Sequence, residues 1–339
     1  MQHRMGLGEL LDTDGALVER GWATQEVRRY SRSVLKSPDP RIKEWDYYCV
    51  LTDEFGIALT VADNGHMGFL GVSWMDFRAR SFVNGGVGTP APNGAMDLPS
   101  SADHGDIVQV HPKMQIAFRH EPGGRRLTID APGFDKGRGI SGELWLAQPP
   151  MDRMVIATPF PEVPEAFYYN QKINCLQASG HIDYAGERYD FAPEQAFGVL
   201  DWGRGVWTFD NTWYWGSASG LVDGKPFGFN IGYGFGDTSA ASENILFFDG
   251  KAHKLTELTF HLPQGAHDSA PWRFTSSDGR FEMTFEPIVD RAASFAMGEI
   301  SSAQHQVFGR FSGQVVLDDG VRLQIRDLIG FAEEVHNRW

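Results

Sequence analysis

Short apolar runs separated by turn residues fill most of the chain. Residues 47–52 form a run of aromatic and β-branched side chains, which an Asp-Glu-Phe-Gly sequence at 53–56 ends. A second run over residues 57–62 is followed by Asp-Asn-Gly at 63–65. Apolar runs broken by Asp, Asn and Gly are typical of β-hairpins, so the pattern predicts paired strands here.

The same pattern continues through the rest of the chain at a spacing of roughly 8 to 12 residues. Helical patterns do not alternate with these runs, and the short helical candidate covers residues 24–35. This organisation predicts an all-β sandwich or barrel and argues against a doubly wound α/β fold. The later predicted strands are residues 114–118, 127–129, 142–147, 172–178, 180–184, 255–262, 272–275, 280–285, 306–316 and 322–331.

A proline-rich segment divides the predicted strands into two groups. Residues 149–164 contain five prolines, and proline cannot donate a hydrogen bond to a sheet. We therefore predict an N-terminal β domain with a lead-in segment over residues 1–164 and a C-terminal β domain over residues 165–339. Residues 84–106 are rich in Gly, Pro, Ser and Ala, which predicts a long loop that serves as a lid or binds a ligand.

Composition narrows the range of partners. The formal net charge is −14, and an acidic surface argues against nucleic-acid binding. No apolar run reaches the roughly 18 to 20 residues of a spanning helix, and no secretory leader pattern is visible. Two cysteines, Cys49 and Cys175, are too few for a disulfide framework. We expect a cytoplasmic monomer or homodimer with no integral membrane segment.

The densest aromatic block lies at residues 200–216. It contains the four tryptophans Trp202, Trp207, Trp213 and Trp215. On a strand, Trp213 and Trp215 share one face because they are two residues apart. Asp201 and Arg204 are candidates for a charge-assisted pair beside them. The block is either a large aromatic core held by an Asp–Arg bridge or an aromatic wall around a ligand.

A glycine-rich segment follows at residues 228–244. Gly232, Gly234 and Gly236 alternate, so a strand here would have one face without side chains, which permits very close packing. The sequence is G-x-G-x-G-D without a βαβ context, which argues against dinucleotide binding. Asp237 and Glu243, together with Asn244, form a polar cluster that either bonds to turns and strand ends or serves a ligand.

Motifs for cofactors and covalent catalysis are missing from the sequence. The histidines do not form H-x-H, H-x-x-x-H or H-E-x-x-H, so no tight zinc site is indicated. A nucleophile elbow and a phosphate-binding loop are also missing. His305 and Gln306 precede the apolar pair Val307-Phe308, and His305 is interpreted either as a satisfied core residue or as a residue that contributes to catalysis or substrate binding. We expect neither a cofactor nor a metal.

Several long motifs resemble a bacterial family known as domain of unknown function 2804. They are IKEWDYY (42–48), LDWGRGVW (200–207), WYWGSASG (213–220), FGFNIGYGFGDTSAASEN (227–244), HKL (253–255), DGR (278–280) and HQVFG (305–309). This family is similar to the lipocalin-like superfamily of carotenoid 1,2-hydratase, tocopherol cyclase and lipocalin-like Diels–Alderases. The resemblance implies two antiparallel β-barrel or half-barrel domains with few short helices, packed around a hydrophobic cavity. It also implies cofactor-independent chemistry on an alkene or polyene.

Three functions are compatible with these features. The first is a hydratase, cyclase or isomerase on an isoprenoid-like substrate, with a carboxyl group as general acid. Asp237 and Glu243 rank above Asp201 for this role, since a neighbouring Arg204 would keep Asp201 ionised. The second is a non-catalytic carrier of an apolar ligand, and the third is a scaffold whose cavity is filled by aromatic side chains. The candidate substrate-binding residues are Trp202, Arg204, Trp213, Tyr214, Trp215, Asn230, Tyr233, Asn244 and His305.

Overall fold

A computed structural model describes residues 2–36 and 39–339, which fold almost entirely into β-strands. The all-β prediction is therefore confirmed. The helical elements described are the short helix α1 (Phe134–Gly137) and two 3-10 turns, Arg32–Val34 and Asp39–Arg41. The helix predicted over residues 24–35 does not form, and only its last part makes a 3-10 turn. One helical turn is too short to bury an apolar face, so its contribution to the core is small.

The two large sheets form a nearly closed barrel and a half-barrel, and the first of them has 13 strands. The strands follow one another in the order β7-β6-β5-β4-β15-β13-β11-β10-β9-β8. Outside this order, β12 and β14 each pair with β13, and β2 pairs with β12. A parallel pair, β1 (Gly8–Glu9) and β3 (Arg28–Arg29), lies outside this sheet. The strands of the first sheet are β2 (Gly21–Ala23), β4 (Ile42–Leu51), β5 (Phe55–Asp63), β6 (Met67–Asp76), β7 (Ser81–Pro90), β8 (Ile107–His111), β9 (Met114–Glu121), β10 (Gly124–Ala131), β11 (Ile140–Ala147), β12 (Met154–Phe160), β13 (Val163–Tyr184), β14 (Glu187–Phe191) and β15 (Phe197–Val206).

The second large sheet has nine antiparallel strands in the order β19-β18-β17-β16-β24-β23-β22-β21-β20. Its strands are β16 (Asp210–Val222), β17 (Lys225–Tyr233), β18 (Ile245–Phe248), β19 (Lys251–Lys254), β20 (Leu258–His261), β21 (Trp272–Ser276), β22 (Phe281–Met297), β23 (Ile300–Val316) and β24 (Arg322–Arg338). One face is packed with aromatic rings, among them Phe229, Phe274, Phe285 and Phe311. Alternate residues of the same strands face the first sheet.

A separate apolar cluster joins the two sheets. Tyr47 of the first sheet and Phe77, in the turn directly after β6, pack with Trp215, Phe308 and Phe331 of the second sheet. Ring pairs cross the junction, with Tyr47 and Trp215 centroids 6.2 Å apart. Edge-to-face aromatic pairs of this kind stabilise a contact beyond the area that they bury. The junction therefore fixes the two sheets against each other and positions the space between them.

The change from one sheet to the other occurs at residues 207–209, between β15 and β16. The proline-rich segment contributes β12 and the start of β13, both in the first sheet. The predicted division into two domains near residue 165 remains a prediction. The predicted loop over residues 84–106 begins later, because β7 continues to Pro90 and pairs with β6.

Candidate functional site

A cavity of about 550 Å³ lies between the two sheets. This volume falls within the range of about 300 to 1,000 Å³ that is usual for small-molecule sites. Strands β4 to β7, β13 and β15 form one wall, and β16 and β22 to β24 form the other. The lining residues used below are Trp45, Tyr47, Tyr168, Lys172, Asp201, Trp207, Trp213, Trp215, Phe235, Glu243, Arg291, Gln306 and Glu333.

An ion pair lies in the wall formed by the first sheet. Lys172 on β13 and Asp201 on β15 are directly opposite each other in the antiparallel register. Lys172 Nζ lies 2.8 Å from Asp201 Oδ2, and Asn170 Nδ2 donates to Oδ1 at 2.6 Å. The same ammonium lies 3.8 Å from the centre of the Trp215 ring. Both charged side chains are buried, so the pair has little competition from water.

Glu333 projects from β24 into the opposite wall of the cavity. Its Oε1 accepts a hydrogen bond from Trp213 Nε1 at 2.9 Å, and its Oε2 accepts one from Gln306 Nε2 at 2.9 Å. Burial raises the pKa of Glu333 to about 7, although the Trp213 bond and nearby Lys172 and Arg291 favour the ionised form. A carboxyl group with such a pKa exchanges a proton near neutral pH.

Gln306 holds this carboxyl group through a short chain of hydrogen bonds. Its Oε1 accepts from Arg291 Nη2 at 2.6 Å and from the Tyr47 hydroxyl at 3.1 Å. A guanidinium can only donate, so the amide oxygen of Gln306 must face Arg291 and its nitrogen must face Glu333. Residues of both sheets thereby fix the position of the Glu333 carboxyl group.

Glu243 supplies a third carboxyl group to the cavity wall. Asn230 Nδ2 donates to its Oε2 at 3.1 Å, while Asn230 Oδ1 accepts from Trp215 Nε1 at 2.6 Å. Burial raises the pKa of Glu243, and the positive charge of Lys172 opposes this effect. Gly232 makes room for this side chain, since a Cβ there would meet Glu243 Oε1 at 2.9 Å and the Tyr214 carbonyl oxygen at 2.6 Å.

The charges on the cavity wall do not balance when every group is ionised. Among the described lining residues there are two cations, Lys172 and Arg291, and three carboxyl groups, Asp201, Glu243 and Glu333. Lys254 lies behind Glu243, and burial lowers its pKa to about 7. An unpaired buried negative charge is costly, which favours the retention of a proton on one of the carboxyl groups.

Aromatic rings form much of the remaining wall. Phe235 is at the centre of this group, with its ring 4.7 Å from Trp207, 5.4 Å from Trp213 and 4.7 Å from Tyr168. All three contacts are close to edge-on. The wall therefore combines apolar surface with ring faces and edges, which suits an unsaturated apolar molecule.

The structure brings several of the predicted site residues together at this cavity. Asp201, Glu243, Trp213 and Trp215 line it, and Asn230 connects Trp215 to Glu243. Lys172 occupies one face of Trp215, so that face is not available to a ligand.

Asp237 is placed elsewhere. It lies outside the described cavity lining, and its carboxylate accepts a hydrogen bond from Arg20 Nη1 at 2.9 Å. Bonds with Ser239 hold the pKa of Asp237 below its ordinary value. Its surroundings are therefore those of an ionised surface group.

The expected pairing of Asp201 with Arg204 is not formed. Residues three apart on a strand point to opposite faces, so the two side chains of β15 diverge. Arg204 is fully buried inside the first sheet, where Nη2 lies 3.0 Å from Asp46 Oδ1 and the guanidinium stacks 4.2 Å from the Trp202 ring. Arg204 and Trp202 thus belong to the interior and not to the cavity wall.

The other predicted contacts lie on the far side of the second sheet or at its turns. Tyr214 and Tyr233 stack on each other with centroids 4.8 Å apart. Asn244 Oδ1 accepts a hydrogen bond from the Gly232 N–H at 2.8 Å, and Asn244 Nδ2 donates one to the Thr256 carbonyl oxygen. These two bonds hold the segment that positions Glu243. His305 pairs with Asp290 at 2.7 Å on the face opposite to Gln306.

Sequence reasoning missed Lys172, Arg291, Gln306 and Glu333. The predicted last strand ended at residue 331, whereas β24 continues to Arg338. Extending the period-2 pattern through the final FAEEVHNR segment would have placed Glu333 on the same face as Phe331. No local signal relates Lys172 to Asp201, because their contact depends on the pairing of two distant strands.

Comparisons with known proteins agree with this architecture. The family model described as domain of unknown function (DUF2804) matches residues 2–339. A crystal structure assigned as an AttH protein of Nitrosomonas europaea is similar, with a TM-score of 0.53, 16% identity, and coverage of 91% of this chain and 97% of that one. Kievitone hydratase from Nectria haematococca has a TM-score of 0.53 and 9% identity, with coverage of 98% of both chains.

Such low identities establish similarity of fold and leave the chemistry to the site. No curated protein sequence matches the chain. None of the described helices is long and apolar enough to cross a membrane. The match over nearly the whole chain confirms the family indicated by the sequence motifs. The chain therefore belongs to the DUF2804 family.

Proposed function

We propose that the protein is a cofactor-independent acid–base enzyme, most simply a hydratase, which acts on an unsaturated, isoprenoid-like or other apolar molecule in the cavity between the sheets. The observation that carries this proposal is a buried carboxyl group, Glu333, at an aromatic-lined cavity and outside any ion pair among the described residues. A protonated carboxyl group in an apolar environment is a competent donor to carbon. The kievitone hydratase fold is compatible with this chemistry.

The proposed reaction begins with transfer of the Glu333 proton to one carbon of a carbon–carbon double bond. Positive charge then develops on the adjacent carbon, where the rings of Trp213, Trp207 and Phe235 stabilise it by roughly 0.5 to 2 kcal/mol each. A water molecule adds to that carbon and releases a proton to Glu243 or Asp201. Return of this proton to Glu333 through solvent restores the starting state, so the net reaction adds one water to the substrate.

The same side chains also support the two alternative reactions, isomerisation and cyclisation. Loss of a different proton from the cation would give an isomer, and attack by a second double bond would give a ring. Glu333 has the same role in each case, since all three reactions begin with protonation of carbon. A carrier would use the cavity but would have no need for a carboxyl group with a pKa near neutrality.

Isotope exchange distinguishes these functions. Ligands extracted from the purified protein, and a panel of isoprenoid alcohols and polyenes, are incubated with the protein in deuterium oxide or oxygen-18 water and analysed by mass spectrometry. A hydratase incorporates both oxygen-18 and carbon-bound deuterium, whereas an isomerase or cyclase incorporates deuterium alone. Recovery of every bound ligand without carbon-bound deuterium would contradict the enzyme proposal and favour the carrier.

The Glu333→Gln variant tests the acid directly. It retains the shape of the side chain, so ligand binding, measured by quenching of tryptophan fluorescence, should change by less than about tenfold. Turnover should fall by about 10² to 10⁴, the usual contribution of a general acid. Glu286→Gln, an exposed change on β22, is the matched control and should retain full turnover. Retained turnover in Glu333→Gln would remove Glu333 from this role.

A further inference from the structure

A second polar cluster lies on the face of the second large sheet that points away from the cavity. His267 comes from the loop at residues 262–271, Asp290 from β22 and His305 from β23. One ligand atom from each residue lies within 4.8 Å of the others. Their neighbours Arg291 and Gln306 face the cavity, so strand alternation places this cluster on the opposite face.

The three side chains are held close together. His305 Nδ1 lies 2.7 Å from Asp290 Oδ2, and the rings of His267 and His305 stack with centroids 3.9 Å apart and planes 10° from parallel. Asp290 Oδ1 is buried and has no hydrogen-bond partner among the described residues. A buried carboxylate oxygen without a donor is costly, and a cation bound at this position would satisfy it.

A second layer of contacts orients His267. Its Nε2 lies 2.7 Å from Glu334 Oε2, whose other oxygen accepts from the Tyr214 hydroxyl at 2.8 Å. Its backbone carbonyl accepts from Trp272 Nε1 at 2.6 Å, which holds the loop against the sheet. This leaves Nδ1 of His267 for an ion. Histidines that bind metals usually pair their other nitrogen with a carboxylate in this way.

We propose that His267, Asp290 and His305 form a binding site for one divalent transition-metal ion of the zinc or ferrous type. Two imidazole nitrogens and one carboxylate oxygen suit these ions, whereas Mg²⁺ and Ca²⁺ prefer oxygen ligands. Ligand atoms around a tetrahedral zinc lie about 3.3 Å apart. Binding therefore requires the three ligand atoms, which lie within 4.8 Å of one another, to move closer, and the two stacked imidazole rings to turn until their nitrogens point at one ion. His305 is 37% exposed, so an ion and its remaining water ligands have access.

The site was not indicated by the sequence because its histidines are far apart along the chain. Only the return of the loop over β22 and β23 brings them into contact. The site is also independent of the proposed acid–base reaction, since its ligands and the cavity carboxyl groups lie on opposite faces of the sheet.

Titration of the full-length, untagged protein tests this proposal. After treatment with a chelator and dialysis, zinc chloride is added in an isothermal titration calorimeter, and cobalt chloride is added in parallel with detection of its d–d absorption. We expect one ion per chain, tetrahedral or five-coordinate cobalt bands, and no competition from millimolar Mg²⁺. Absence of zinc binding to the wild-type protein would overturn the proposal.

Variants establish which residues bind the ion. His267→Ala, Asp290→Asn and His305→Ala should each weaken zinc binding at least 100-fold, and Glu334→Gln should weaken it about 10- to 100-fold. His336→Gln is the matched control, because His336 pairs with Asp210 at 2.7 Å but is outside the proposed site. Its affinity should equal that of the wild type.

Melting of each metal-free variant, followed by circular dichroism, confirms that the fold is intact. If His267→Ala or His305→Ala does not fold, the corresponding glutamine variant replaces it. Unchanged affinity in folded variants at both histidines would refute the proposed site, even when the wild type binds zinc elsewhere.

Discussion

The two faces of the second large sheet are built from alternate residues of the same strands. One face, called the filled face below, is covered by closely packed aromatic rings, and the other, the cavity face, borders the cavity. On the filled face, Phe311 packs against Phe229 and Phe285 with centroids 5.0 and 4.5 Å apart. On the cavity face, Trp213 and Trp215 are each tied to a polar partner, Glu333 or Asn230.

This difference shows what keeps an aromatic-lined cavity open. Rings without polar atoms collapse onto one another, because close packing maximises both burial and dispersion contacts. An indole that donates to a buried carboxyl or amide group is instead held at the position of its acceptor. The cavity face therefore uses hydrogen bonds to set positions that packing alone would not maintain.

The largest expected effect compares the same truncation in the filled core of the second sheet and at the cavity. Phe311→Ala should lower the free energy of unfolding by about 3 to 5 kcal/mol, because it leaves a new void in a solid core. Phe235 lies at the cavity in the loop that follows β17, and Phe235→Ala should lower the free energy of unfolding by about 2 kcal/mol less, since the space that it vacates merges with the existing cavity. Urea denaturation followed by circular dichroism and fluorescence measures both. Equal losses would show that the filled core and the cavity wall are packed alike.

The second effect concerns the pH dependence of stability. Folding raises the pKa of Glu333 from 4.5 to about 7, so between these values the folded protein binds more protons than the unfolded chain. The contribution of Glu333 is therefore fully present below pH 4.5 and is lost as the pH rises through 7. At about 1.4 kcal/mol per pKa unit, the loss amounts to roughly 3 kcal/mol.

Glu333→Gln isolates this contribution from the effects of the other ionisable or charged side chains nearby, which are Lys172, Asp201, Glu243, Lys254 and Arg291. As the pH rises from 4.5 to 8, the free energy of unfolding of the variant should increase by roughly 2 to 3 kcal/mol relative to that of the wild type. Urea denaturation at a series of pH values provides the measurement. A difference that does not depend on pH would mean that Glu333 has an ordinary pKa.

The smallest effect is expected from Trp213→Phe, which removes one donor to the Glu333 carboxyl group and retains most of the ring. The free energy of unfolding of the variant should be lower than that of the wild type by about 1 kcal/mol at pH 5 and by about 2 kcal/mol at pH 8, since a hydrogen bond to an ionised acceptor is stronger. The pKa of Glu333 should rise further, because this bond favours the ionised form. Trp145→Phe on β11 is the control. An identical loss of unfolding free energy at each pH in both variants would show that the Trp213 indole does not stabilise the Glu333 carboxylate.

The sequence alone determined the fold class and the family. Frequent turn residues and β-favouring runs predicted an all-β chain because both signals are local, and long motifs such as 227–244 identified the family. The same motifs contributed Trp213, Trp215 and Glu243 to the predicted site. Each of these residues lies in a segment with several aromatic or glycine neighbours, so it was visible without knowledge of strand pairing.

Only the tertiary structure decided which polar groups meet. Lys172 contacts Asp201 through the register of β13 and β15, and Glu333 reaches Gln306 through that of β24 and β23. Asp237 and Glu243 looked equivalent in sequence, but one bonds Arg20 at the surface and the other is buried at the cavity. A carboxyl group becomes an acid through burial and its neighbours, and both are consequences of long-range pairing that local sequence does not encode.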